Sequence, residues 1–142
     1  MTEPALLGRI QLFALTYHSP VRWRLLSGNN REVARSVAEY RDRESCLLAI
    51  KQARETVTMF VPVVRRNEQG RWTWELQVDG DPVVHSPQGF VRQIRCEQGL
   101  GHFLATVSVA EISAATLVSH ARRWEQRTLH SPPPPVRRER LR

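Results

Sequence analysis

Cysteine, lysine and long apolar runs are all scarce in this chain. The lack of long apolar runs and the low number of cysteines each exclude a class of protein. No apolar stretch approaches the roughly 20 residues that a membrane-spanning helix needs, so no membrane partner is expected. Glu3 stands where a signal peptide would carry positive charge, and the chain is expected to be cytoplasmic. The two cysteines, Cys46 and Cys96, are too few for a secreted disulfide framework. They predict free, buried thiols.

Groups that could carry catalysis are present but not organised. The five histidines are scattered: His18, His85, His102, His120 and His130. No paired carboxylate or nucleophile stands at a spacing that would group them. Neither cysteine has a second cysteine or histidine at metal-ligand spacing, and Gly99-Leu100-Gly101 lies inside a helical pattern rather than in a phosphate loop. We therefore expect no enzyme, no cofactor and no metal site.

The positive charge of the chain is concentrated at its C-terminal end. The formal net charge is +7. Residues 1–112 contain 14 basic and 12 acidic side chains, whereas residues 113–142 contain seven arginines and two glutamates. Lys51 is the single lysine, and so high a share of arginine is weak evidence for phosphate binding. The body is nearly neutral and the basic character belongs to an appendage.

Internal repetition is the strongest pattern in the sequence. Residues 33–57 match residues 83–107 at a constant offset of 50. The identical pairs are Val33/Val83, Ser36/Ser86, Cys46/Cys96, Thr56/Thr106 and Val57/Val107, and the similar pairs are Tyr40/Phe90 and Ile50/Leu100. Upstream the offset becomes 51, which pairs Trp23 with Trp74 and Leu25 with Leu76.

With 41% hydrophobic residues, the chain is one compact domain, or two small ones sharing a core.

Each copy is predicted to contain three strands and a helix. Apolar and polar residues alternate over 21–26 and 72–77, as expected of strands with one buried face. Asn29-Asn30 and Asp79-Gly80 favour tight turns into third strands at 32–36 and 82–86. First strands are expected near 11–17 and 60–66.

The helices follow, one over 43–55 capped by Asp42 and one beginning near Arg92. Their inward stripes place Cys46 and Cys96 in the core. Tyr40 and Phe90 are expected to close the end of the core, and the matched serines to hydrogen-bond the backbone where the chain leaves the sheet.

In their order, these motifs resemble the YegP-like domains, a family of small bacterial domains. The matching residues of the first copy are Val21, Trp23, Leu25, Asn29, Asn30, Val33, Ser36, Tyr40, Asp42, Cys46, Ala49 and Ile50. Those of the second are Trp72, Trp74, Leu76, Asp79, Gly80, Val83, Ser86, Phe90, Cys96, Gly99 and Leu100. The resemblance covers roughly residues 10–110 and implies no established activity. The chain departs from the family in lacking its lysines and in adding a C-terminal extension.

The resemblance implies an α+β fold in which two tandem β-β-β-α repeats form one antiparallel sheet with both helices on one face. The strands after the helices, 57–64 and 105–112, would exchange between the repeats. The predicted organisation is an N-terminal arm (1–9), a first repeat (10–57), a second repeat with a returning strand (58–112), a basic amphipathic helix (113–130) and a disordered Pro/Arg tail (131–142).

The C-terminal extension allows two interpretations. Ser113 is a plausible N-cap, and Leu117, Ala121, Trp124 and Thr128 share one helical face. This helix either docks on the domain or presents its arginines to nucleic acid or an acidic partner. The four prolines that follow favour an extended spacer before a basic tail.

The sequence leaves two functions open. The first is a non-catalytic protein-interaction or structural module, in which the sheet face or the Trp124 helix binds a protein partner or another copy. The alternative is nucleic-acid binding through Arg22 and Arg24 on the open sheet face together with the C-terminal arginines. Those arginines are Arg122, Arg123, Arg127, Arg137 and Arg138. Against the alternative, the matching face of the second copy carries Thr73, Glu75 and Gln77, and the tryptophans point into the core.

Overall fold

The computed structural model describes residues 8–118, with the side chain of Ala114 excepted. The elements are β1 (Arg9–Ala14), β2 (Arg22–Leu26), β3 (Glu32–Ser36), α1 (Arg43–Thr56), a 3-10 helix (Val57–Met59), β4 (Val61–Arg66), β5 (Trp72–Val78), β6 (Asp81–His85), α2 (Gln93–Thr106) and β7 (Glu111–Val118). Within this range the fold is α+β, with two helices of 14 residues each.

The seven strands form one sheet in the order β4-β5-β6-β3-β2-β1-β7. Its two halves join through the antiparallel pairing of β3 with β6, where Arg35 is opposite His85 and Ser36 is opposite Val84. All other pairs are antiparallel except β1 and β7, which are parallel. Both helices pack against the same face, because their buried side chains belong to one core. The opposite face is not covered by either helix, and we call it the open face.

Strict alternation explains why β2 and β5 bury one face. Trp23 and Leu25 in β2, like Trp74 and Leu76 in β5, are at most 1% exposed, whereas the residues between them are half-buried on the open face. Near the hairpin turns the register slips by one residue: Leu25 is opposite Ala34 but Leu26 is opposite Glu32.

Val33 is therefore an extra residue in β3, and Val83 is the extra residue at the same place in β6. A bulge residue has no partner on the neighbouring strand and breaks the strand's alternation at that point. Both valines pack against the core.

Helix capping differs between the two helices, as predicted. Asp42 caps α1, because its side chain accepts a hydrogen bond from the Ser45 amide at 2.8 Å. This bond is the first cause of the lowered pKa of the Asp42 carboxyl. Arg92 precedes α2 and makes no side-chain cap. The turn residues Asn30 and Asp79 adopt the positive φ angles of 67° and 53° that the hairpins require.

Ser36 and Ser86 each satisfy a backbone amide of the neighbouring strand. The Ser36 hydroxyl accepts from the amide of Trp23 at 3.1 Å, and the Ser86 hydroxyl accepts from the amide of Trp74 at 3.2 Å. Both serines are buried, so these bonds replace ladder bonds that the end of each strand lacks. The expectation that these serines bond the backbone is confirmed.

The core contains an aromatic group that joins the two halves of the sheet. Phe103 of α2 lies 5.7 Å from Trp74 and 6.4 Å from Trp23, measured between ring centroids. One tryptophan belongs to each half, and all three rings are at most 1% exposed. Arg54 of α1 adds a polar link, because its guanidinium donates to the carbonyl of Val107 at 3.0 Å and to that of Ala110.

Cys46 and Cys96 are free thiols that are completely buried on the inward faces of the helices, as predicted. Burial raises the pKa of Cys46 from 9.0 to about 12. Burial, followed by the nearby charge of Glu97, also raises the pKa of Cys96. The folded protein therefore holds both thiols in the protonated form at neutral pH.

Because both thiols stay protonated in the folded protein, the free energy of unfolding should depend on pH through the two cysteines. Because the folded-state pKa of Cys46 is raised, the stabilisation is fully present below pH 9.0 and is lost as the pH rises towards about 12. We expect the urea midpoint of the wild type to fall more steeply over that window than that of the Cys46→Ala/Cys96→Ala variant. At pH 6 to 8 the difference between the two midpoints should be constant. Parallel slopes throughout would contradict the assignment.

The C-terminal end of the described chain differs most from expectation. The predicted helix over 113–130 is wrong at its start, because Ser113 lies inside β7, which runs to Val118 and pairs with β1. Strand pairing with β1 outweighs the local helical periodicity that Leu117 shares with Ala121 and Trp124 in the sequence. Residues 119–130 and the predicted tail lie outside the described residues, as does most of the predicted N-terminal arm.

Four smaller corrections concern strands. The sheet is not wholly antiparallel, because β7 runs parallel to β1. The predicted returning strand over 105–112 starts too early, since α2 extends to Thr106. The strand predicted over 57–64 begins only at Val61, after the 3-10 helix. The first strand ends at Ala14 rather than at residue 17, because a turn closes there with the Ser19 amide donating to the carbonyl of Thr16 at 3.2 Å.

Candidate interaction surface on the open sheet face

The open face of the first half of the sheet carries a group of interacting side chains that we call the arginine cluster. Strand pairing places Gln11 opposite Arg24 and Phe13 opposite Arg22, and it places Arg24 opposite Arg35 on the next strand. The cluster consists of Gln11, Phe13, Arg22, Arg24, Glu32 and Arg35. Its members come from β1, β2 and β3, which are held in register by the buried residues between them.

Phe13 is the aromatic centre of the cluster. The guanidinium carbons of Arg24 and Arg35 lie 5.0 and 5.3 Å from the centroid of its ring. At these distances a cation is attracted by the face of the ring. Both guanidinium groups are therefore attracted to one ring.

Hydrogen bonds fix the same two arginines. Arg24 donates twice to the side-chain oxygen of Gln11, at 2.9 and 2.7 Å. Arg35 donates to Glu32 through two nitrogens, at 2.5 and 2.8 Å, and this hydrogen bond is the first cause of the raised pKa of Arg35. Arg24 reaches the same carboxylate at 3.4 Å. Despite these bonds the arginine side chains keep 23% and 31% of their surface exposed.

Arg22 is attached to the backbone. Its guanidinium donates to the carbonyl of Ser36 at 3.2 and 2.5 Å. Burial, followed by the charge of Arg35, lowers the pKa of Arg22. The carboxylates of Glu39 and Glu32 act on this pKa in the opposite direction. Among the six side chains of the cluster, three arginines and one glutamate leave an excess of two formal positive charges, which the nearby Glu39 partly offsets.

The second half of the open face is electrically balanced. Arg65 pairs with Glu75 at 3.1 Å, and Gln77 donates to the same carboxylate at 2.6 Å. His85 lies between the halves, opposite Arg35 on one side and Glu75 on the other. Its Nδ1 is 2.5 Å from the carbonyl of Ser86. The positive excess is thus confined to the first half of the face.

Within residues 8–118, the structure brings together two of the residues predicted to contact a partner. Arg22 and Arg24 lie on the open face as expected, but they are held by neighbouring groups rather than projecting freely. The other predicted contacts, Arg122, Arg123, Trp124, Arg127, Arg137 and Arg138, lie outside the described residues.

Sequence reasoning missed the other four members of the cluster. They are Gln11, Phe13, Glu32 and Arg35. The alternation in the segment RIQLFA carried the signal, because an inward Leu12 requires an outward Phe13.

Two solved structures are similar to this one. The solution structure of yegP from E. coli, a protein of unknown function, has a TM-score of 0.61 at 16% identity and matches over 75% of this chain and 90% of its own. The solution structure of the UPF0339 protein SO3888 from Shewanella oneidensis has a TM-score of 0.63 at 13% identity, over 80% of this chain and 95% of its own. The chain has a YegP-like fold.

The YegP-like fold is what these comparisons establish, since identities this low transfer no activity. No family model matches the sequence, and no curated protein matches it. Over residues 8–118, neither helix has the length and apolar character needed to cross a bilayer. Within the same range, no three histidine, cysteine, aspartate or glutamate side chains gather as a set of metal ligands would.

Proposed function

We propose that the protein is a non-catalytic interaction module that binds an acidic surface of a protein partner through the arginine cluster. The observation that carries this proposal is the excess positive charge held in a fixed arrangement on the open face. Arg24 and Arg35 each lie over the Phe13 ring and are each hydrogen-bonded to a neighbouring side chain, so they lose little rotamer freedom when a partner binds. Arginine is also among the residues that dominate the energetics of protein interfaces.

We further propose that the module consists of two copies of one β-β-β-α unit. Residues with matched roles in the two halves support this duplication. Each half has a buried serine that accepts from a tryptophan amide, a bulged valine and a buried helical cysteine. Only the first half carries the arginine cluster. In this proposal one copy kept the scaffold while the other acquired the binding surface. Reduced, buried thiols fit a site of action in the cytoplasm.

Nucleic-acid binding is the second candidate function. It is favoured by the two partly exposed guanidinium groups over Phe13, because arginine and aromatic side chains can stack on bases. The arginines of residues 122–138 would add sequence-independent attraction. The balanced second half of the face argues against a long strand running across the whole sheet. For this reason we place the acidic protein partner first.

One binding experiment distinguishes these functions. Full-length protein is titrated by fluorescence anisotropy into a labelled poly-glutamate peptide and into a labelled single-stranded oligonucleotide of equal charge. The test variant is Arg24→Gln/Arg35→Gln, and the matched control is Arg65→Gln/Arg66→Gln, which removes the same charge from β4. We expect the peptide to bind more tightly and the test variant to weaken it at least about tenfold, equivalent to about 1.4 kcal/mol.

The alternatives predict other results. Tighter binding of the oligonucleotide, with the same loss in the test variant, would favour the second candidate. Equal losses of peptide affinity in the test and control variants would show that net charge alone drives binding. That result would overturn the role of the cluster. Sedimentation of the protein alone shows whether the partner is a second copy, in which case the test variant should shift the dimer to the monomer.

A further inference from the structure

A groove of about 630 Å³ lies on the helix side of the molecule, where the β2–β3 turn of the first half faces α2 of the second. This volume falls in the range that small-molecule sites occupy. Its walls include Arg31 and Val33 from the turn and Phe90, Arg95, Gly99 and His102 from the second half. The groove shares Glu32 with the arginine cluster, but its other lining residues lie outside that cluster, so a ligand bound in it is an inference beyond the proposed function.

Two unpartnered polar atoms lie beneath this groove. Among the described residues, the indole Nε1 of Trp74 and the Nε2 of His102 are the buried side-chain polar atoms without a hydrogen-bond partner. Trp74 is 1% exposed, and its nitrogen can only donate. A buried donor without an acceptor is costly, and such groups are uncommon in folded proteins. The occurrence of both at one groove indicates that a ligand group supplies what the chain does not.

Gly99 gives access to the indole nitrogen. A Cβ placed on Gly99 would lie 3.4 Å from Nε1 of Trp74 and 3.3 Å from the ring of Phe90. Gly99 lines the groove and has no side chain to cover the indole N–H. The ring of Phe90 is what lies between that N–H and the groove. The equivalent position in α1 is Ala49, which shows that the helix does not itself require glycine there.

The rim of the groove is positive and its wall is apolar. Arg31 and Arg95 are exposed and make no ion pair within residues 8–118. Glu32 also lines the groove, but its carboxylate is held by Arg24 and Arg35. Val33, Pro87 and Phe90 supply apolar contact. This combination matches a ligand that has a negative group joined to an apolar body.

We propose that the groove binds a small carboxylic acid with an apolar body. The carboxylate accepts hydrogen bonds from the indole N–H of Trp74 and from Nε2–H of His102, and Arg31 and Arg95 neutralise its charge. The apolar body lies against Val33 and Phe90. Neither nitrogen touches solvent in the structure, so the half-buried side chain of Phe90 moves aside as the ligand enters and the ring of His102 turns its Nε2–H towards the carboxylate.

The indole N–H of Trp74 reports this binding directly. Phenylacetate is titrated into the full-length ¹⁵N-labelled protein, with the Trp74 indole signal assigned by its loss in Trp74→Phe. We expect this signal to move saturably with a millimolar dissociation constant or tighter, while the Trp23 indole signal does not move. Benzyl alcohol lacks the charge and inorganic phosphate lacks the apolar body, so each should bind at least about tenfold more weakly.

Two glycine variants of the same helix provide the matched test. Gly99→Ala places a methyl group over the indole nitrogen and should reduce phenylacetate affinity at least about tenfold. Gly101→Ala meets no atom within 4 Å and should bind like the wild type. An unmoved Trp74 signal with phenylacetate would overturn the proposal. So would equal affinities of the two glycine variants, or phosphate binding as tightly as phenylacetate. Arg22→Gln changes the arginine cluster but leaves Glu32 with both of its arginine partners, so it should bind phenylacetate normally, which separates this result from the proposed function.

Discussion

Replacing Phe103 by alanine is expected to lower the free energy of unfolding by about 3–5 kcal/mol. The ring is fully buried between Trp23 and Trp74, so its removal leaves a cavity bordered by the most buried side chains of both halves. Because a small domain is stable by only about 5–15 kcal/mol, this loss approaches the whole stability of the protein. The measurement is urea unfolding followed by circular dichroism.

Leu104→Ala is the control for this prediction. Leu104 is the next residue of α2 but is 41% exposed, so its truncation should cost under about 1 kcal/mol. A loss at Phe103 no larger than that at Leu104 would mean that the aromatic group does not join the two halves.

Ser36→Ala and Ser86→Ala should each destabilise the protein by about 1–3 kcal/mol. Each substitution leaves a buried tryptophan amide without its acceptor, at 3.1 Å in one half and 3.2 Å in the other. The bond that each hydroxyl accepts is equivalent in the two halves, and Ser36→Ala should cost somewhat more because the Ser36 hydroxyl also donates to the carbonyl of Ala38 at 3.1 Å. The losses are read from urea midpoints at unchanged slope.

Ser108→Ala provides the comparison for the serine pair. Ser108 is exposed in the turn after α2 and makes no side-chain hydrogen bond within residues 8–118, so the variant should be nearly neutral. A serine variant of β3 or β6 that behaved like Ser108→Ala would show that its hydroxyl is dispensable. A large loss in one half and none in the other would count against the duplicated unit.

The sequence was informative wherever the local pattern decides the structure. Trp23 and Leu25 alternate with arginines, and a strand with one buried face is the arrangement that satisfies this pattern. Asp42 is a capping residue before an amphipathic run, and α1 begins at the next residue. The matched serines were visible because hydroxyls recur where both strands end. In each case the determinants lie within a few residues of each other.

Features that depend on distant pairing could not be read in this way. Residues 111–118 become a strand because β1 offers a free edge, whereas the local spacing favoured a helix from Ser113. Val33 and Val83 were recognised as identical, but the bulge that explains them appears only when β3 and β6 are paired with their neighbours. Phe13 acquires its role from Arg24 and Arg35, which stand 11 and 22 residues further along the chain.

Native-state hydrogen exchange in the Ser86→Ala variant tests most directly whether the two halves form one cooperative core. Leu25 and Ile50 are buried in the first half, and Leu76 and Phe103 are buried in the second. If the core is shared, the opening free energies of all four amides fall by the same amount, about 1–3 kcal/mol. A fall confined to Leu76 and Phe103, with Leu25 and Ile50 unchanged, would show two independent units and contradict the account.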